Sequence, residues 1–307
     1  MLSDDPWARA LALLTPDALL ALREGPDFRR AIGAIAATAL ESVLQADAFG
    51  LQLWRHRGRR ALFLTLLALD ARHMGVTARE LIKAAEIQQA ASRGGVVDFI
   101  RRAEAAGEIS VAPGPETWTA RRLVLADALR ERIRRLVRVN IAAWAPFYPE
   151  FGALLDIVDD DARLSAFFLT FATLALQRRD LINYSASDTD VFRVRDFGGG
   201  VMLHFICVQT EPRTQFLEGA HVSRRKLAAN FGISRPHVSR MLADGEAAGL
   251  FSPDGPDRIV FSPAFSELLE RQAATFLQFV RAACVAADLT APIDHAHLSR
   301  IGQIGAI

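Results

Sequence analysis

Two segments of the chain, 142 residues apart, repeat one another. Ser92–Ser110 is SRGGVVDFIRRAEAAGEIS and Ser234–Ser252 is SRPHVSRMLADGEAAGLFS; aligned without a gap, 8 of 19 positions are identical. Each copy is preceded by a bundle-type helical pattern and a short helix, and is followed by turn residues and a long closing helix. Self-similarity at a fixed period settles architecture before any single element does. The expectation is one unit built twice, with residues 1–147 as the first repeat with its bundle helices and 148–307 as the second. The boundary falls near Pro146–Asp160, where PFYPEFG interrupts the helical pattern.

Apolar residues at helical spacing dominate both halves, and apolar residues make up 51% of the 307, enough for a core and too many for a disordered chain. The patterns predict helices near 7–23, 28–48, 59–73, 77–87, 92–107, 120–147, 160–184, 199–210, 222–231, 234–249 and 263–287. Extended pieces are sparse. Ile109–Ala112 and Thr117–Ala120 flank PGPE, and Leu250–Ser252 and Arg258–Phe261 flank PDGPD, so each pair reads as a small hairpin. The expected fold class is mainly α.

Ser223–Phe251 carries the clearest local signal. Leu227, Ala228 and Phe231 form the apolar face of a first helix, and Gly232 ends it as a residue free to turn left-handed. Ser234 caps a second helix, and Pro236 sits in its first turn, where a missing N–H is tolerated. Val238, Met241, Leu242 and Gly245 then share one face. Arg240 and Ser239 point to the other side, with Arg235 and His237 at the leading end. Such a helix can lay Arg and Ser side chains against base edges of the major groove. Arg224, Arg225 and Lys226 stand at the start of the preceding helix, placed to hold phosphates. The Pro253–Asp257 turn with Arg258 forms a wing.

This segment resembles the winged helix-turn-helix of bacterial transcription regulators, the MarR type above all, and Arg225–Leu250 also resembles the Crp-type helix-turn-helix. The resemblance implies a fold of two winged helix-turn-helix units with small hairpin wings and a shared helical bundle. It further implies a transcriptional regulator that binds double-stranded DNA. MarR-type proteins work as homodimers held by terminal helices; both units here lie in one chain, so a monomer acting as a pseudo-dimer is expected. A small-molecule effector between the bundle helices is also implied, although no residue identifies one.

The first copy departs from the pattern. Asp98 stands where the second copy has Arg240, Gly94 and Gly95 replace Pro236 and His237, and Val97 replaces Ser239. Ser92, Arg93 and Arg101 remain as candidate DNA contacts. The halves are therefore expected to be unequal, with the second as the main reader. The alternatives are a plasmid-type replication initiator, which also strings two winged helices together, and a winged-helix scaffold for protein interaction.

The net charge of +1 looks unsuited to nucleic acid, but it is a sum of segregated parts. Residues 213–240 carry +5, 121–138 carry +5 and 51–60 carry +4, against −5 over 150–190. The arginines of 121–138 read as a salt-bridged exposed face, and those of WRHRGRR (54–60) as a solvated loop. Asp159–Asp161 reads as a helix cap rather than a metal site. Asp294, His295 and His297 read as a polar tail, and Asp196–Gly200 as a loop before a helix. Phosphate-loop, dinucleotide, nucleophile-elbow and zinc-protease motifs are missing, so no enzyme, cofactor or metal is expected. Cys207 and Cys284 cannot form a disulfide framework, which points to a reducing compartment. Leu164–Leu176 is too short to span a bilayer, which takes about 20 residues. With an acidic MLSDDPWARA start lacking a signal-peptide pattern, the expected location is cytoplasmic.

Overall fold

The computed structural model describes residues 5–73, 76–114, 116–184, 190–193, 195–208 and 218–287. The chain is mainly helical with small antiparallel sheets. No helix among the described residues is long and apolar enough to cross a membrane.

The first half runs α1 (Pro6–Leu13), α2 (Pro16–Glu24), α3 (Phe28–Leu44), α4 (Ala48–Arg55), α5 (Arg57–His73), β1 (Val76–Thr77), α6 (Ala78–Ile87), α7 (Arg93–Ala105), β2 (Ile109–Val111), β3 (Arg122–Leu125) and α8 (Asp127–Trp144). The second runs α9 (Glu150–Ile157), α10 (Asp161–Gln177), α11 (Arg179–Tyr184), α12 (Asp190–Arg193), α13 (Gly198–Cys207), β4 (Gly219–His221), α14 (Arg224–Phe231), α15 (Arg235–Ala247), β5 (Phe251–Pro253), β6 (Arg258–Phe261) and α16 (Pro263–Ala286). From α5 to α8 and from α13 to α16 the order is the same: helix, strand, two helices, hairpin, helix. Both sheets place the hairpin's second strand in the centre, β1-β3-β2 and β4-β6-β5, all antiparallel.

Several boundaries differ from the periodicity. Pro16 divides the first helix, because its ring fits a first helical turn and not an interior. WRHRGRR is the junction of α4 and α5 rather than a loop. Thr117–Ala120 is not a strand: Trp118–Ala120 forms a 3₁₀ turn, and the strand begins at Arg122, where Leu123 and Leu125 alternate inward. The stretch Pro146–Asp160 contains α9.

The chain packs as two compact units, each drawn from separate segments. One comprises Met1–Thr15, Arg57–Arg179 and Gln278–Ile307; the other comprises Pro16–His56 and Asp180–Leu277. The halves 1–147 and 148–307 divide the chain by repetition, whereas these units divide it by packing and take segments from both halves. In the first unit α5 packs chiefly on α10, burying Ala68 and Ala71 against Ala166 and Leu169. In the second, α13 packs chiefly on α3. The helix that opens each repeated segment is thus covered by a helix from the opposite half.

The second unit's core is rich in phenylalanine. Phe192, Phe205, Phe251, Phe261 and Phe265 form a network of edge-on and tilted ring contacts at 5.2–6.4 Å, and each is at most 6% exposed. Val238, Met241 and Leu242 bring α15 onto the same cluster, with Leu227 and Phe231 doing so for α14. That packing leaves the opposite faces of α14 and α15 to solvent.

Candidate nucleic-acid interface

In the second copy, Ser223 caps α14 by accepting from the Lys226 N–H at 3.4 Å. Gly232 closes that helix in the left-handed region (φ 59°), and the Ile233 N–H returns to Ala228 O at 3.1 Å. Ser234 caps α15 by accepting from the His237 N–H at 3.3 Å, with Pro236 in the first turn. A four-residue turn, 254–257, joins β5 to β6. Arg258 donates back to the Asp254 carboxylate at 2.8 Å, and Arg224 touches Pro256 O at 3.5 Å, tying the start of α14 to the hairpin tip.

Arg224, Arg225 and Lys226 occupy the first turn of α14, and Arg235 opens α15; neither first turn contains an acid. A helix N-terminus carries partial positive charge, so cations there are unfavourable unless an anion joins them. All four are exposed, as is Arg240, and among the described residues none of the five has an ion-pair partner. Ser239 is half-buried. His237 is half-buried too, and its Nε2–H points at the Asp196 carbonyl oxygen, 3.4 Å away.

The first copy holds the same frame with different charges. Thr77 and Glu80 form a capping box, the Thr77 N–H donating to the Glu80 carboxylate at 2.7 Å and the Glu80 N–H to Thr77 Oγ1 at 3.2 Å. Aligning the caps Ser223 and Thr77 places Glu80 where the second copy has Lys226. Asp98, the counterpart of Arg240, accepts from Arg102 at 2.9 and 3.0 Å and from Arg59 at 3.2 Å. The Arg102 hydrogen bond, with Arg59 adding to it, holds this carboxyl below the usual range. Ser92 caps α7 through the Gly95 N–H at 3.2 Å, while Arg93 and Arg101 are exposed and unpaired among the described residues. At the five positions that carry +5 in the second copy, the first has Ala78, Arg79, Glu80, Arg93 and Asp98, a net of zero. Its longer hairpin link also folds back, the Trp118–Ala120 turn resting on α6.

Other basic runs are used largely internally, although Arg135 is exposed and has no ion-pair partner among the described residues. On α8, Arg130 bonds Asp70 at 3.0 Å, Arg132 pairs with Glu108, Arg134 with Glu131 and Asp161, and Arg138 with Asp159. Asp160 caps α10 through the Ala162 and Arg163 N–H groups at 3.0 and 3.1 Å. From the junction run, Arg55 and His56 hold the Asp196 carboxylate at 2.6 and 3.0 Å, and Arg59 takes Asp98. Asp294, His295 and His297 lie outside the described residues. Among the described residues, no group of three or more His, Cys, Asp or Glu is arranged to hold a metal. A half-open cleft of the first unit beside the Asp70–Arg130 pair, lined by Leu67, Leu125, Ile133 and Phe168, has a volume of about 30 Å³, on the scale of a water or two.

Arg195 and Asp244 were not singled out in the sequence, and Asp196 was read only as part of a loop, yet Arg195 and Asp196 border α15 and Asp244 lies on it. Arg195 pairs with Asp244, and Phe197 takes a left-handed conformation (φ 60°) with its ring stacked on Phe231 at 5.7 Å. The one legible sign was the spacing of Arg240 and Asp244, four apart on a single helix.

No family model, no curated protein and no solved structure matches the chain.

Proposed function

We propose that the chain is a DNA-binding transcriptional regulator of winged helix-turn-helix type, with its second copy as the reader. The observation that carries this is the set of five exposed, unpaired cations, Arg224, Arg225, Lys226, Arg235 and Arg240. Four of them crowd helix starts that favour anions. Duplex DNA supplies such anions at close spacing. In this reading α15 enters the major groove, Arg240 and Arg235 face base edges, the first turn of α14 holds phosphates, and the 254–257 turn lies along the neighbouring backbone. One bidentate Arg–guanine contact contributes about 1–3 kcal/mol of discrimination.

The first copy we read as a poor DNA binder that serves protein contact or packing. The net charge of zero at those five positions, the engaged Asp98 and the folded-back hairpin link support this. Selection from a random duplex pool, followed by footprinting, tests the whole reading. The expected product is one short, non-palindromic site. Enrichment of no duplex, or of a palindrome with two equal half-sites, would contradict it.

A further inference from the structure

Arg240 and Asp244 stand four residues apart on α15, the spacing at which opposite charges pair along a helix. They do not pair. Asp244 is taken by the Nη2 of Arg195, which precedes α13, and Arg240 stays free. In the first copy the same two positions carry the opposite charges, Asp98 and Arg102, and there they do pair at 2.9 Å. The two pairs differ in order, acid before base being the better one in a helix, and the second copy also has Arg195, which holds the acid nearest along the helix to Arg240.

The turn that delivers Arg195 is fastened on both sides. The Phe197 N–H donates to Arg55 O at 3.1 Å, and Arg55 and His56 grip the Asp196 carboxylate. The Asp196 carbonyl oxygen receives the His237 ring at 3.4 Å. Both acids along this edge of α15, Asp196 and Asp244, are therefore engaged by residues of the turn or of the α4 end. Among the described residues Arg240 has no acid paired with it.

We propose that Arg195 is a positioning residue of the DNA-reading face, which diverts Asp244 and keeps the Arg240 guanidinium available. This rests on α15 being the DNA-facing helix. Phe197 holds the turn in a conformation that only a surrounding structure can impose on an L residue, so Arg195 is presented to Asp244 before any DNA arrives.

The test is a double-mutant cycle, because residues that share a partner couple and independent ones add. Affinity for the selected duplex is measured for the wild type, Arg195→Ala, Asp244→Asn and the double variant, with a thermal melt of each. Arg195→Ala should weaken binding roughly 3–10-fold and reduce the salt slope by about one, since Asp244 then captures a contact cation. Asp244→Asn alone should change little, and in the Arg195→Ala background it should restore wild-type affinity. Arg195→Lys should retain most of it. An unchanged Arg195→Ala would overturn the inference. So would a double variant that melts like the wild type yet binds as weakly as Arg195→Ala, or an Asp244→Asn gain of equal size in both backgrounds. A wild type that binds no duplex would overturn the functional reading itself, which separates the two failures.

Discussion

Charge at a handful of positions distinguishes the two copies. Lys226 against Glu80 and Arg240 against Asp98 are full reversals on a shared frame, and each acid has its own local partner. A second residue-scale consequence concerns pH. Burial holds the His204 imidazole below its usual value, outweighing the backbone bond at His221, and Lys226 acts in the same direction as burial. The folded state therefore releases this proton more readily than the unfolded chain. Its contribution to stability is present above the usual histidine value of about 6.5 and is lost as pH falls from there through the depressed folded value. Melting temperature should drop between pH 7.5 and 5.5, and His204→Gln should flatten that drop; an unchanged slope would show that other groups cause it. Asp70 and Glu270 act oppositely. Burial outweighs their arginine partners and raises both carboxyls, so they favour the fold only at more acidic pH. Arg235, Arg240 and the α14 cations were legible as candidates because helical spacing fixes which way they point. Arg195 was not, since nothing in RDFG tells which distant acid it meets.

At the scale of elements, size complementarity replaces charge. Gly245 sits where a Cβ would lie 2.6 Å from the Phe251 ring, and that ring is locked among Phe192, Phe205 and Phe265. The first copy has Ala103 and Ile109 at the matching positions, both buried. The larger ring requires the glycine, and the smaller side chain allows an alanine. Gly245→Ala should cost about 1–3 kcal/mol by overpacking, read by chemical denaturation, and Gly245→Ala with Phe251→Ile should recover most of it. Equal stability of the two variants would argue against this packing. Phe192→Ala, which leaves a cavity under α15 and β5, should cost about 3–5 kcal/mol. Long helices were readable from periodicity and caps. Strands β1 and β4 were not, because two or three residues cannot display alternation, and their existence depends on a central strand more than 35 residues away.

At the scale of the whole molecule, the repeat is exchanged rather than strung in series. The opening helix α5 is covered by α10, and α13 by α3, each from the other half. Periodicity cannot show this, because an apolar face looks the same whichever helix covers it. Fragments 1–147 and 148–307, expressed apart, should each fail to fold and should recombine when mixed. On α5, Leu62, Leu66, Leu67 and Leu69 are at most 7% exposed. Re-exposing even two would cost roughly 3–6 kcal/mol, against a usual domain stability of about 5–15 kcal/mol. Cooperative unfolding of either fragment alone, followed by circular dichroism, would contradict the exchange.

Charge segregation explains how a chain of net +1 can be read as a DNA binder: four of the five α8 arginines are paired internally, and five exposed cations without an ion pair among the described residues sit together on α14 and α15. The decisive measurement is an anisotropy titration of the full chain on its selected duplex across salt concentrations, with Arg240→Ala and Arg93→Ala alongside. If the α14 and α15 cations alone contact DNA, their five charges set a log–log salt slope no steeper than about −4.5. Arg240→Ala should lose about tenfold or more, and Arg93→Ala should stay within about twofold. Salt-insensitive binding, or equal losses in the two variants, would contradict a single DNA-reading copy.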